Sequence, residues 1–198
     1  EYTGKPVLGV LPYAADIHLP EEDGLSRGEF GSPQAEIDIA IFYPPHISNF
    51  TDFDALAFAP DTHIKYIKEV SQIEDPDLII IPGSKNTIED LEYLYKTGLM
   101  QKLKDLYHRG KMIVGICGGY QMLGQYIQDP GAVESEKEKI KGAGLLNIAT
   151  TLAPEKITSQ VQAETLHNLP FEIEKERDYR GLEAFEIHQG QTELKGGV

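Results

Sequence analysis

An α/β fold, a mostly parallel sheet with helices on both faces, is the architecture this sequence predicts, and three observations carry it. Strand-like apolar runs alternate with helix-spaced runs from Glu36 onward, the rhythm of parallel strands joined by crossovers. Two runs, "DLIIIPGS" (77–84) and "KMIVGI" (111–116), are nearly continuously apolar, as in strands buried on both faces. Each leads into a glycine turn at its carboxyl end, where ligands bind in sheets of this kind.

The elements follow in order. Residues 1–35 carry Pro12, Pro20 and Pro33 with only a short apolar start at Val7–Leu11, and read as a linker or surface arm. Residues 36–198 read as the domain. "IDIAIFY" (37–43) alternates and is β-rich, a first strand. "ALAFAP" (55–60) reads as a short second strand, and "THIKYIKEVSQI" (62–73) as a helix from the spacing of Ile64, Ile67 and Val70. After the buried strand at 77–84 come one broken helix or two consecutive ones, capped by Asn86 or Thr87 and stopped by Gly110. "KMIVGI" is the next buried strand and "GYQMLGQYI" (119–127) a short helix. The charge-rich "DPGAVESEKEKIKGAG" reads as a loop, with "ESEKEKIK" (134–141) a solvated face. "LLNIATTL", "KITSQVQAETL" and "GLEAFEIHQG" read as strands of an antiparallel extension.

Composition narrows the function. A net charge of −14 argues against nucleic-acid binding, which needs clustered Lys and Arg. No apolar run is long enough to span a membrane, and the start lacks a signal-peptide pattern. A lone cysteine makes no internal disulfide, which fits a reducing, cytoplasmic setting. The chain begins at Glu1 rather than Met and reads as a fragment of a longer protein.

That cysteine is the centre of the chemistry. Gly115-Ile116-Cys117-Gly118-Gly119 is a thiol version of the nucleophile elbow, a strand entering a helix through so tight a turn that the central residue is strained. Such a turn projects the sulfur into the cleft, and the helix N-terminus beneath favours the thiolate. The Gly118 N–H then points to where an oxyanion forms. A cysteine ending an apolar strand is, taken alone, more simply a core residue; the flanking glycines reverse that preference. The elbow by itself leaves hydrolase, peptidase and transferase open. "IPGSKNT" (81–87) lacks the P-loop spacing and alone is an ordinary turn. Beside an elbow, its Gly83 or Ser84 N–H becomes a second oxyanion donor.

"PGSKNTIEDL" followed by "GICGGYQMLG" resembles the class I glutamine amidotransferase domains of the cobyric acid synthase and cobyrinate diamide synthase (CobB/CobQ) type. "LPEEDGL", "ISNFTDFDAL" (47–56) and "EIHQG" (186–190) extend the resemblance over nearly the whole chain. The arm and "SNFTDFD" favour the cobyric acid synthase branch over its diamide-forming relative, and the arm points away from the glutaminase partner of lipid II amidation. Gly24 and Gln189 stand where serine and methionine are more usual in these relatives.

The resemblance implies a flavodoxin-like three-layer sandwich that hydrolyses glutamine and passes ammonia to an amino-terminal synthetase domain. That domain uses ATP and magnesium to amidate corrin carboxylates; this one carries no cofactor or metal. Carried over residue by residue, Cys117 is the nucleophile forming a γ-glutamyl thioester, and Gly83 and Gly118 form the oxyanion hole. Ser84, Gln121 and His188 line the glutamine site. The family's catalytic histidine lies after E-I-H-x-G, in a G-T-Y-x-H-G-like segment that this chain does not contain, so the domain reads as truncated. Among the six histidines, His18 falls in the arm, His46 and His63 in early loop or helix-start positions, His108 at a helix end and His167 in a polar stretch. A stand-alone cysteine amidase or peptidase would need one of them beside Cys117. A degenerate binding domain would have no reason to keep an elbow.

Overall fold

The computed structural model describes residues 5, 6, 9, 29–32, 34–164 and 181–196. Two sheets organise them. The first has the order β1-β3-β2-β4-β5: β1 (Glu29–Gly31), β2 (Ile37–Phe42), β3 (Thr62–Ile67), β4 (Leu78–Ile81) and β5 (Met112–Gly115). β2 to β5 run parallel, while β1, contributed by the arm, pairs antiparallel with β3. The central strands explain the apolar runs: Ile39, Ala40, Ile41 and Phe42 are buried in succession, as are Ile79, Ile80 and Ile81.

Between β4 and β5 lie two helices, α2 (Thr87–Lys96) and α3 (Leu99–His108), on one face of the sheet. Asn86 caps α2 by accepting from the Glu89 N–H at 3.1 Å, and Gly98 at φ 79° turns the chain into α3. Ile88, Leu91, Leu94, Leu99, Met100, Leu103 and Leu106 bury themselves against Ile79, Ile81 and Phe42. The other face is covered more thinly. Phe53, Leu56 and Ala57, from a 3-10 turn (Phe50–Phe53) and α1 (Asp54–Ala57), pack on Ile41, Ile64, Tyr66 and Ile80.

The second sheet has the order β7-β6-β8-β9: β6 (Tyr126–Gln128), β7 (Lys139–Lys141), β8 (Ile148–Ala163) and β9 (Leu182–Leu194). β8 and β9 form a long antiparallel ribbon whose register shifts between Leu152 and Ile157. Helix α4 (Gly118–Met122) joins the two sheets directly after β5.

Several readings change. The helix expected over 119–127 ends at Met122, and Tyr126–Gln128 is instead the strand β6, because it pairs with β8 on one side and with Lys139–Lys141, a strand within the expected loop, on the other. Residues 62–67 are a strand, not a helix: Thr62, Ile64 and Tyr66 alternate inward, and this period of two wins over the period of three that also fits so short a stretch. Residues 54–57 are helical, not a strand, because Ala and Leu after Asp54 favour a helical turn. β5 is not buried on both faces: Met112 is 53% exposed, since β5 is the edge of its sheet among the described residues and the helices cover only one side. The antiparallel extension forms as expected, but as a separate sheet, with "LLNIATTL" and "KITSQVQAETL" contributing to one strand, β8.

Candidate functional site

Cys117 follows β5 and precedes α4 with φ 49° and ψ −110°, a left-handed value unusual for a residue with a side chain. The turn is closely packed. A Cβ on Gly119 would stand 2.8 Å from the Pro82 carbonyl oxygen and closer still to that of Ile81. One on Gly115 would meet the Gly119 carbonyl oxygen and the Tyr120 nitrogen at 2.7 Å. The glycines of the elbow thus serve close backbone approach, and the thiol is exposed at the end of the sheet.

The turn after β4 comes to the same place. A Cβ on Gly83 would lie 2.7 Å from Ser48 Oγ and 3.8 Å from Cys117 Cβ, which sets Gly83 and Ser48 beside the cysteine. A Cβ on Gly118 would lie 3.2 Å from the Ser84 nitrogen and 3.2 Å from Thr87 Oγ1. Neither the Gly83 nor the Gly118 N–H donates to a backbone acceptor among the described residues. Two free amide donors next to one exposed thiol are the parts from which an oxyanion site is built.

The Ser84 side chain is turned into its own loop. Its hydroxyl donates to Asp90 Oδ2 at 2.6 Å and accepts from the Asn86 N–H at 3.0 Å, so the side chain is engaged within the loop. Gln121, on α4, is buried, and its Nε2 lies 2.9 Å from where a Cβ on Gly190 would stand, which brings β9 against the elbow helix. His188, two residues earlier on β9, faces Gly190 O through Nδ1 and Glu186 Oε1 through Nε2, each at 2.7 Å.

No histidine among the described residues hydrogen-bonds the Cys117 thiol. His46 faces Asp90 and Glu89, and His63 faces Asp38 and Glu29. His108 stacks edge-on with Tyr107. His18 and His167 lie outside the described residues. Among the described residues no group of three or more His, Cys, Asp or Glu is placed to hold a metal, and no helix is long and apolar enough to cross a membrane.

Four neighbours of the site escape sequence reasoning: Ser48, His46, Asp90 and Glu134. Glu134, in the stretch expected to be a solvated face, reaches the start of α2 and accepts from the N–H groups of Thr87 at 2.6 Å and Ile88 at 3.2 Å. Burial pushes its carboxyl above the usual range, partly offset by those donors. Asp129 presents the loop. Burial alone would raise its carboxyl, but the N–H groups of Val133, Glu134 and Ser135 outweigh burial and hold it below the usual range. None of these four has a local pattern: Ser48 meets Gly83, His46 meets Asp90 and Glu134 meets Thr87, each pair far apart along the chain.

Residues 38–198 match the model of the CobB/CobQ-like glutamine amidotransferase domain. The chain belongs to that family. It is 44% identical over 193 residues to a cobyric acid synthase of Thermoanaerobacter sp. (strain X514), covering 97% of this chain and 38% of the relative. A cobyric acid synthase of Caldanaerobacter subterraneus subsp. tengcongensis is 46% identical over 195 residues, with the same coverages of 97% and 38%. The chain therefore spans about two fifths of the length of these relatives, 38% in each. The fold resembles the solved structure of PurLQS from Thermotoga maritima at a TM-score of 0.58 and 16% identity, over 82% of this chain and 72% of that one. The family match and the α/β architecture agree with the expectation drawn from "PGSKNT" and "GICGGYQMLG".

Proposed function

We propose that Cys117 is the nucleophile of a glutamine-hydrolysing centre that supplies ammonia within a protein of the cobyric acid synthase type. The strained elbow is the observation that carries this: Cys117 at φ 49° projects an exposed thiol beside the free N–H groups of Gly83 and Gly118. The sulfur of the thiolate bonds to the side-chain carbonyl carbon of glutamine, and the carbonyl oxygen takes up the negative charge facing those two donors. Collapse breaks the carbon–nitrogen bond, a proton goes to the leaving nitrogen, and ammonia departs from a γ-glutamyl thioester. Water then attacks the thioester, releases glutamate and returns the thiol. The resemblance assigns the proton transfers to the histidine of a G-T-Y-x-H-G-like segment, and no histidine among the described residues hydrogen-bonds the Cys117 thiol.

Gln121 on the elbow helix packs against Gly190 of β9, whose carbonyl faces His188, and we assign Gln121 and His188 to the wall that holds glutamine. ATP and magnesium belong to the synthetase part of such a protein, which amidates corrin carboxylates. The described residues of this chain offer no cluster fitted to a metal, and no step here runs through either group. The test is glutamate release from glutamine by the protein carrying this chain, before and after Cys117→Ala. The substitution is expected to reduce release by about a thousandfold or more, as loss of a nucleophile does. Unchanged release would refute the assignment.

A further inference from the structure

We propose that Asp90 is a positioning residue for the oxyanion site, acting as a buried brace between the two loops that carry Gly83 and Ser48; this rests on the glutaminase reading. Asp90 lies in the first turn of α2 and is 0% exposed. A fully buried carboxylate is costly unless each oxygen is occupied, and here each is. Oδ2 accepts from Ser84 Oγ at 2.6 Å. Oδ1 accepts from the His46 backbone N–H at 3.0 Å and faces His46 Nδ1 at 2.9 Å, where the carboxylate requires the ring nitrogen to donate.

Those partners are placed so that the brace acts on the reacting atoms. Ser84 follows Gly83, and its hydroxyl also accepts from the Asn86 N–H, which closes the turn between β4 and α2. His46 precedes Ser48 by two residues, and its carbonyl accepts from the Lys85 N–H at 2.8 Å. The Ser48 N–H donates to the Gly83 carbonyl at 2.9 Å, so the peptide after Gly83 is held from the opposite loop. Among the described residues, Asp90 is the one side chain that bonds both loops at once, through Ser84 and His46. Its effect reaches substrate through the direction of the Gly83 N–H, where a displacement of about 1 Å is enough to cost about a hundredfold in rate.

The α2 end alone does not account for the carboxylate. Its first-turn N–H groups already have acceptors, Asn86 Oδ1 for Glu89 and the Glu134 carboxylate for Thr87 and Ile88. Asp90 points instead at the loops.

Asp90→Asn in the full protein keeps the shape and replaces one acceptor by a donor. Two readouts separate positioning from general support. Glutamine hydrolysis needs the oxyanion donors; alkylation of Cys117 by iodoacetamide displaces iodide and develops no oxyanion, so it does not. The expected result is a kcat for glutamate release lowered by about ten- to a hundredfold, with KM and the alkylation rate each within about threefold of wild type. Ser84→Ala, which removes only a hydroxyl, should lower kcat in the same direction, and the two changes together should be less than additive. If Asp90→Asn does not fold, Ser84→Ala carries the same two readouts. A kcat within twofold of wild type, or alkylation falling in step with kcat, would overturn the proposal. A wild-type protein whose Cys117 is alkylated but which releases no glutamate would instead overturn the glutaminase reading, and this proposal with it.

Discussion

The turn after β5 is closed by backbone pressed on backbone, whereas the turn after β4 is closed by side-chain hydrogen bonds. At the first, Gly119 lies so close to Ile81 and Pro82 that any side chain would push α4 away from the end of β4. At the second, a Cβ on Gly83 would meet the Ser48 hydroxyl closely and Cys117 Cβ and the Ile116 carbonyl oxygen only at 3.8 and 3.9 Å, and Asp90, Ser84 and His46 fix the loop. The difference follows from what each turn must do. The elbow must hold one strained residue, which sterics enforce without polar groups. In the proposed centre the Gly83 loop aims an N–H, and direction is what hydrogen bonds supply.

That contrast predicts different responses to the same substitution. Gly119→Ala should have the largest effect, lowering stability by about 3 kcal/mol, because the neighbours are carbonyl groups that cannot rotate away. Thermal or urea unfolding measures it, and a loss below about 1 kcal/mol would show that the elbow is not closed by packing. Gly83→Ala should cost less than about 1 kcal/mol, since the atom in the way, at 2.7 Å, is a serine hydroxyl that turns aside. Ser48→Ala in the same chain should remove what cost remains. Equal losses at Gly119 and Gly83 would erase the distinction.

Much of this was legible along the chain. The buried strand at 78–81, the paired helices with Asn86 as cap and the elbow itself follow from patterns within a few residues. β3 and α1 are each too short for periodicity to separate strand from helix, and pairing with β2 settles the first. The brace was not legible. An acidic residue in a first helical turn is ordinary, and nothing near Asp90 signals that its partner is His46, 44 positions away. Glu134 is hidden for the same reason: a mixed charge run gives no sign that one of its carboxylates turns inward.

The smallest expected effects lie in the Asp129 loop, which sharpens the comparison by a third route, ionisation. The Asp129 carboxyl is held below its ordinary value of 3.8, so its stabilising contribution is present above that value and is lost as pH falls through the lowered one. The Tm deficit of Asp129→Asn should therefore be full near pH 6 and shrink below about pH 4. Glu134 is shifted the other way, above 4.5, so its contribution is full below that value and lost as pH rises through the raised one. Glu134→Gln should compare better with wild type near pH 7 than near pH 4. Thermal unfolding across this range tests both signs, and parallel curves for the two variants would contradict them.

Acid quenching during turnover, followed by mass spectrometry of the peptide that carries Cys117, tests the central claim most directly. With glutamine present, that peptide is expected to gain the mass of one γ-glutamyl group, lost again on treatment with hydroxylamine. Glutamate release without any such adduct on Cys117, or an adduct on another residue, would contradict the account.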